Sequence, residues 1–201
     1  MPVEATELFL PGLSHAGFEI AIHDSLDVYA DADTMAAADL IVQCWSMGVL
    51  TAPQEAGLVG AVRAGAGFAG WHGGVVATFA ASFGYARMVG GTFVHHPAEF
   101  LDYDVRIEQP DHPIVEGVGD FSVRTEQYWL LTDGWNEVLA STVVAPSADG
   151  EFDQPVSMPV VWTRRWGRGR VFCSAIGHTL TDLAQPEVFT LTSRGLAWAS
   201  R

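Results

Sequence analysis

The chain has 201 residues, of which 49% are hydrophobic and 17% charged, a composition typical of a globular domain that buries its core without disulfides or a structural metal. Its formal net charge of −14 repels the phosphate backbone of nucleic acids and anionic lipid surfaces. The apolar runs fall short of the roughly 18 residues that a membrane helix needs, and Glu4 and Glu7 at the start are unlike a signal peptide. We therefore expect one domain over residues 1–201, located in the cytoplasm, with no nucleic-acid or membrane partner.

The first third of the chain alternates between helical and strand-like patterns. Apolar residues recur at helical intervals, then alternate with polar ones, then form a continuous run, and a Thr51-x-x-Gln54 capping box starts a second helix. In chain order these patterns predict a helix over residues 3–13, a half-buried strand over 18–22, a buried parallel strand over 39–45, a helix over 51–63 and a strand over 68–71.

The rest of the chain begins with shorter alternating segments, which indicate partly antiparallel strands. Residues 147–155, SADGEFDQP, have the composition of a flexible loop. The predicted elements are strands over residues 103–107, 121–123, 137–144 and 160–162, a turn at 167–169, a buried strand over 170–176 and a closing helix over 186–199.

Helix–strand alternation with short glycine-containing joints predicts an α/β fold with a doubly wound, mostly parallel sheet and helices on both faces. In such folds the sites lie beyond the carboxyl ends of the strands, which directs the search for chemistry to those ends. Cys44 and Cys173 each lie inside an apolar run, so we expect buried thiols and neither a redox nor a zinc motif.

The most informative segment is residues 67–74, GFAGWHGG, in which a strand runs into a turn of small residues and a helix. This pattern is typical of a nucleophile elbow, where the central residue is strained and its side chain stands exposed beside backbone N–H groups. The central residue here is His72, and imidazole is a better general base or metal ligand than acyl-transfer nucleophile. Alternatively, Gly73 and Gly74 only make a tight turn that His72 caps.

Three further histidines are candidates for the site. His178 closes the buried strand RVFCSAIGH at its carboxyl end, which favours a functional role over a strand that simply ends in a polar residue. His95 and His96 follow an extended segment, and adjacent side chains there point to opposite faces, so at most one of them joins a given site.

A carboxylate among aromatic residues forms the last candidate group. Glu126 lies in the segment TEQYW, where aromatic neighbours could raise its pKa, although a solvated glutamate at a loop edge is an equal alternative. Trp71, Tyr128 and Trp129 could supply faces on which a pyranose ring stacks. Together with Gly73 they are the candidate substrate-binding residues.

Five phrases in order, GWHGG, MVGGTFVHHP, DHPIVEGVGDFSVRTEQYW, PVVWTRRWGRGRVFCSAIGH and GLAWAS, resemble the ThuA (trehalose utilisation) family over nearly the whole chain. That family belongs to the class I glutamine-amidotransferase-like superfamily. The resemblance implies a flavodoxin-like sheet with a pocket over the elbow. It also implies that the usual first strand is absent here, so either the chain is shortened at its start or another segment fills that place.

The resemblance also assigns roles at the elbow. His72 stands where the amidotransferase relatives carry their nucleophilic cysteine, His178 matches their catalytic histidine, and Leu180 replaces their glutamate. We therefore expect no glutaminase activity. The family instead implies a role in the catabolism of trehalose or a related disaccharide.

The leading hypothesis is a sugar-processing enzyme that acts on a glycoside or a keto-sugar, with His72, His178 and Glu126 as catalytic groups. A divalent metal such as zinc would add His95 or His96 to these ligands. Its partner would be a small-molecule carbohydrate.

Two other classes stay open at this point. One is a non-catalytic carbohydrate-binding or regulatory protein that retains the pocket. The other is a structural subunit with Trp135 or Trp166 at an interface. A homodimer is compatible with each.

Overall fold

The computed structural model describes residues 2–97 and 99–201. Its helices are α1 Pro2–Glu7, α2 Leu10–His15, a 3-10 helix Leu26–Ala30, α3 Ala32–Ala37, α4 Ala52–Ala64, α5 Gly73–Val76, α6 Phe83–Val89, α7 Leu180–Ala184 and α8 Pro186–Ala199. Its strands are β1 Leu40–Gln43, β2 Gly67–Trp71, β3 Gly91–His95, β4 Leu101–Ile107, β5 Phe121–Thr125, β6 Trp129–Thr132, β7 Glu137–Val144, β8 Val156–Trp166 and β9 Gly169–Ser174.

A mixed seven-stranded sheet in the order β1-β2-β9-β8-β7-β4-β5 organises the molecule, with β3 and β6 forming a separate two-stranded ribbon. The parallel pairing that we expected joins β1 to β2 and β2 to β9. From β9 to β5 every pair is antiparallel. The three parallel strands therefore end together at one edge, which we call the carboxyl edge, and their opposite ends form the amino edge.

Helices cover both faces of this sheet, as predicted. One core places Trp71 and Phe172 against residues of α1, α7 and α8, and the other places Phe68 and Cys173 against the 3-10 helix, α3, α4 and α6. Successive side chains of a strand point to opposite faces, so β2 and β9 each supply both cores. This explains why all five residues of β2 are buried.

The local signals at α4 are confirmed. The Thr51 side chain accepts from the backbone of Gln54, and the Gln54 side chain accepts from the backbone of Thr51, while Gly65 ends the helix. The closing helix α8 and the strands predicted over residues 68–71, 103–107, 121–123, 137–144, 160–162 and 170–176 are also present, with small shifts at their ends.

Two predictions near the start were wrong. The helix expected over residues 3–13 is divided into α1 and α2, because the ring of Pro11 clashes with the carbonyl four residues earlier, where α1 ends at Glu7. The strand expected over residues 18–22 does not form. Among the described residues β1 pairs only with β2, and an alternating segment becomes a strand only where it finds a partner. None of the helices in the described part of the chain has the length and apolar character needed to cross a bilayer.

Candidate active site at the carboxyl edge

His72 occupies a strained turn between β2 and α5. Its φ of 49° is in a region that L-residues rarely adopt, and its backbone N–H donates to the carbonyl of Ser174, 2.7 Å away. The turn needs small residues, since a Cβ on Gly70 would lie 2.6 Å from the Gln43 carbonyl oxygen and one on Gly74 would lie 2.9 Å from the Cα of Cys44. The elbow predicted from GFAGWHGG is therefore present as backbone geometry.

A buried polar network fixes the turn from below. The side-chain amide of Gln43 donates to the carbonyl of Gly74 at 2.9 Å and to the Tyr85 hydroxyl at 2.7 Å, and its oxygen accepts from the Tyr29 hydroxyl at 3.0 Å. The Tyr85 hydroxyl in turn donates to the carbonyl of Val75 at 2.8 Å. Such a satisfied network holds a unique arrangement of the backbone around it.

Three candidate side chains converge above the turn. His72 Nε2 lies 3.0 Å from Glu126 Oε2 and 3.2 Å from His178 Nδ1, and His178 Nδ1 lies 3.1 Å from the same Glu126 oxygen. They come from the ends of β2, β5 and β9. Within the described residues this is the group of histidine and acidic side chains arranged so that it could hold a metal ion. We call it the His–Glu–His cluster.

The hydrogen bond on the other side of the His72 ring determines its tautomer. Nδ1 lies 3.0 Å from the carbonyl oxygen of Ala175, and a carbonyl only accepts, so Nδ1 carries the proton. In the neutral ring the Nε2 lone pair then points at the carboxylate of Glu126. Two acceptors at 3.0 Å repel each other unless a proton or a cation lies between them.

Glu126 is the anion of the cluster. Its side chain is 12% exposed. The hydrogen bond that His72 Nε2 donates to it when the ring is protonated lowers its pKa to about 2, against the opposing effect of desolvation. The Tyr103 hydroxyl donates to its backbone carbonyl at 3.2 Å. The carboxyl is therefore ionised at neutral pH, and the sequence-based expectation of a raised pKa was wrong because the histidines outweigh the aromatic surroundings.

Tyr128 belongs to the cluster as a hydroxyl rather than as a stacking face. Its hydroxyl donates to His72 Nε2 at 2.7 Å, and its ring is packed between His72, with centroids 4.2 Å apart, and Phe93 at 4.5 Å. Burial raises its pKa far above the ordinary value for tyrosine. Because the ring is covered on both faces, no sugar can stack on it.

The two tryptophans expected to stack on a sugar differ in their placement, and the stacking role of Trp129 stays a prediction. Trp71 is 1% exposed and packs against Phe9 with centroids 5.0 Å apart, since its position in β2 directs it into the core; this expectation was wrong. Trp129 packs against Phe152 at 4.9 Å. Gly73 is buried, with Ser46 Oγ 3.4 Å from the position that a Cβ would take, so its binding role stays a prediction.

The side chains of His95 and His96 have different surroundings, as expected for neighbours in an extended segment. His95 is exposed, and no contact joins it to the cluster in the described part of the chain. His96 lies beside Glu126, with Nε2 3.6 Å from the second carboxylate oxygen, Oε1. Its Nδ1 is 2.5 Å from the carbonyl of Pro97. Of the four histidines considered as ligands, His72 and His178 reach the shared point, while His96 lies beside Glu126 outside it.

Sequence reasoning missed three residues that shape the site. Gln43 could have been found as the one strongly polar side chain in the run LIVQCW. Asp182 could have been found from the capping-box spacing Thr179-x-x-Asp182, and it also accepts from the Thr125 hydroxyl at 2.6 Å, next to Glu126. Nothing in the sequence marks Ala175, because it acts through its backbone carbonyl.

Comparison with known proteins identifies one family and several solved structures that share the fold. A family model described as ThuA, trehalose utilisation, matches residues 2–199. A comparison with curated proteins gave no match.

Solved structures share the fold at low sequence identity. A putative ThuA-like protein from Bacteroides uniformis is 17% identical with a TM-score of 0.78, over 98% of this chain and 84% of that one. One from Parabacteroides merdae is 15% identical with a TM-score of 0.75 and the same coverage. A cytoplasmic protein from Salmonella typhimurium is 13% identical with a TM-score of 0.71, over 97% of this chain and 87% of that one.

Proposed function

The chain belongs to the trehalose-utilisation (ThuA) family, and from that membership and the His–Glu–His cluster we propose that it is an enzyme that processes a carbohydrate at the carboxyl edge of its sheet. The observation that carries the proposal is the convergence of His72 Nε2, Glu126 Oε2 and His178 Nδ1 within 3.2 Å of one another. Strand ends are where this architecture builds active sites.

The donor set fits a divalent metal ion. Two imidazoles and one carboxylate on one side of an ion are a common ligand set for iron, zinc and related metals, and leave positions open for substrate. The proton of His72 is held by the Ala175 carbonyl, which is how metal-binding histidines are usually oriented. An ion here also removes the repulsion between the Nε2 lone pair and Glu126.

The roles of the chain's own groups follow from this arrangement. When bound, the ion would polarise a carbonyl or hydroxyl oxygen of the sugar. Tyr128, whose hydroxyl faces His72 Nε2, would then donate to a substrate oxygen instead. His96 donates through Nδ1 to Pro97, so its Nε2 is free to accept a proton, and its 27% exposure lets that proton reach solvent.

Proton transfer to and from carbon suits this site better than hydrolysis of a glycosidic bond. Hydrolysis by the usual route needs two carboxyl groups on either side of the bond. Glu126 is one, but the nearby Asp182 accepts from Thr125 and both backbone and side chain of Thr179, so it is committed to structure. A keto-sugar, whose carbonyl acidifies the adjacent C–H, needs one base and one electrophile, and the proposed reaction is its isomerisation or elimination.

The first experiment measures metal in protein purified without a histidine tag and without added metal. Wild type should contain close to one ion per chain, and His72→Ala, His178→Ala and Glu126→Gln should each lose most of it. His15→Ala is the matched control, because His15 is an exposed histidine at the end of α2. Metal content that does not depend on the three cluster residues would contradict the metal centre.

The second experiment tests the chemistry. A keto derivative of trehalose is incubated with the metal-loaded protein in D₂O, and incorporation of deuterium next to the carbonyl is followed by NMR. Trehalose itself is the control, since it has no C–H made acidic by a carbonyl. Sugar binding without exchange or any product would instead identify a carbohydrate-binding protein.

A further inference from the structure

Glu126 and the two histidines of the cluster come from distant parts of the sheet. His72 and His178 follow β2 and β9, which pair directly, and the N–H of His72 donates to the carbonyl of Ser174 at 2.7 Å. Glu126 follows β5, which is separated from β9 by β8, β7 and β4. Four strand spacings amount to roughly 19 Å in a flat sheet. Strand pairing therefore fixes the strands that lead to the two histidines, but it does not bring Glu126 to them.

The carboxylate of Asp182 joins the segments that carry Glu126 and His178. Its Oδ2 accepts from the Thr125 hydroxyl at 2.6 Å and from the backbone N–H of Thr179 at 3.0 Å, and its Oδ1 accepts from the Thr179 hydroxyl at 2.7 Å. Thr125 directly precedes Glu126, and Thr179 directly follows His178. One carboxylate thus holds the chain next to two of the three members of the cluster.

This junction lies in the interior of the protein. Thr125 is 0% exposed and Asp182 is 8% exposed, and a short hydrogen bond from a hydroxyl to a carboxylate is stronger than one between neutral groups. The Gln185 side chain, just beyond the end of α7, also donates to the carbonyl of Ser122 on β5 at 2.9 Å, but that contact is exposed. The buried connection between α7 and β5 is therefore the one that Asp182 makes.

Capping of α7 does not account for the bond to Thr125. In a capping box the N-cap side chain accepts from the backbone of the third helical residue, whose side chain accepts from the N-cap backbone. Both bonds are present between Thr179 and Asp182. The box is complete without Thr125, which lies 57 residues before Asp182 in another element. Removal of the Thr125 hydroxyl therefore cuts the junction and leaves the start of the helix intact.

Other hydrogen bonds near Glu126 hold it to its own half of the sheet. The hydroxyl of Tyr103 on β4 donates to the backbone carbonyl of Glu126 at 3.2 Å, and the Gln127 side chain donates to the hydroxyl of Thr142 on β7 at 2.9 Å. Neither bond reaches α7 or β9. Because the distances from an ion to its ligands are tightly defined, a shift of β5 relative to α7 would move the carboxylate out of place.

We propose that Asp182 is a positioning residue that sets the distance between Glu126 and His178, through Thr125 and Thr179, and with it the affinity of the cluster for a divalent ion. The inference rests on the metal site of the proposed function. It assigns part of the affinity to a side chain that is not itself a ligand. Groups that orient metal ligands from outside commonly contribute about 10-fold to 100-fold to metal affinity.

Thr125→Val is the decisive substitution, because valine has nearly the shape of threonine, suits a strand and lacks only the hydroxyl. Metal-free protein is titrated with Zn²⁺ in the presence of a chromophoric chelator that competes for the ion. We expect Thr125→Val to bind Zn²⁺ at least about tenfold more weakly than wild type. Thr125→Ser, which retains the hydroxyl, should stay near the wild-type affinity.

Thr163→Val is the matched control. Thr163 is 0% exposed, its hydroxyl donates to the carboxylate of Glu137 at 3.2 Å, and it lies opposite Phe172 in the middle of β9. This variant also loses a hydrogen bond from a buried hydroxyl to a carboxylate, so its stability in urea should fall, while its affinity for Zn²⁺ should not change. Equal losses of affinity in the two valine variants would reveal a general effect of destabilisation and would overturn the inference.

Asp182→Ala completes a double-mutant cycle. If the two residues act through one bond, Thr125→Val should weaken Zn²⁺ binding no further in the Asp182→Ala background, whereas independent effects would add and would contradict the proposed junction. Unchanged affinity in Thr125→Val would overturn the inference and leave the metal centre intact. A wild-type protein that binds no Zn²⁺ would remove the metal centre of the proposed function, and the inference with it.

Discussion

At the scale of single residues, a substitution of His96 can show whether this side chain is a metal ligand or the general base. Its Nε2 faces Glu126 Oε1 at 3.6 Å but lies outside the three-atom cluster. We expect His96→Asn to retain the metal and to lose about 10²-fold or more of the deuterium exchange, which is the usual contribution of a general base. Metal analysis and NMR exchange rates on the same preparation check this, and loss of metal in the variant would show that His96 is a ligand after all.

Tyr128 offers a second substitution that spares the fold. Tyr128→Phe retains the ring between His72 and Phe93 and removes only the hydroxyl that donates to His72 Nε2. Exchange should fall about tenfold or more, while the free energy of unfolding changes by about 1 kcal/mol, the net value of one hydrogen bond. Tyr103→Phe, which loses a hydrogen bond to the backbone of Glu126, is the matched control for a purely structural effect.

The cysteines give a prediction that depends on pH. Burial raises the pKa of Cys44 to about 11, and the thiolate is the reactive species. Alkylation of Cys44 by iodoacetamide should therefore be slow at pH 7 and accelerate about tenfold per pH unit until it levels off near that pKa. Cys173, fully buried, should react only after unfolding. Peptide mass spectrometry separates the two, and fast labelling of Cys44 at pH 7 would contradict its raised pKa.

At the scale of elements, the elbow depends on glycines that leave room for the neighbouring backbone. Gly74→Ala places a Cβ 2.9 Å from the Cα of Cys44, so α5 must move away from β1, and we expect the protein to lose about 1–3 kcal/mol of stability together with its metal. Gly60→Ala is the control. It lies inside α4 with no atom within 4 Å of the added carbon, and it should gain about 0.5–1 kcal/mol. Urea denaturation measures both.

The elements also show which parts of the fold a sequence can reveal. The helix α4 was predictable because its start signal, the Thr51–Gln54 capping box, is local. Residues 18–22 carry an equally clear alternating pattern, but a strand needs a partner supplied by distant sequence, and in the described residues none pairs with them. The elbow pattern led to His72, the strand-end rule to His178 and a carboxylate among aromatic residues to Glu126, all without any knowledge of distances.

What the sequence could not supply was the direction in which side chains point. Trp71 and His72 are neighbours, yet one is directed into the core and the other to the cluster. His72 follows the last residue of β2 with a positive φ, so the turn sets its direction, and this turn depends on the close packing of Gly70 and Gly74 on neighbouring backbone.

At the scale of the whole molecule, the edge of the sheet at β1 has a further consequence. Among the described strands β1 pairs only with β2, and an edge strand presents N–H and C=O groups on which another chain can form a further strand. At neutral pH the charge of −14 keeps the copies apart, but this repulsion vanishes near the isoelectric point, about 4.6. We therefore expect light scattering to show self-association that is greatest near pH 4.6 and reversible on return to neutral pH. In mildly acidic buffers the protein would be lost to self-association before it unfolds. Its storage life would therefore depend on strand pairing at β1 and not on its melting temperature.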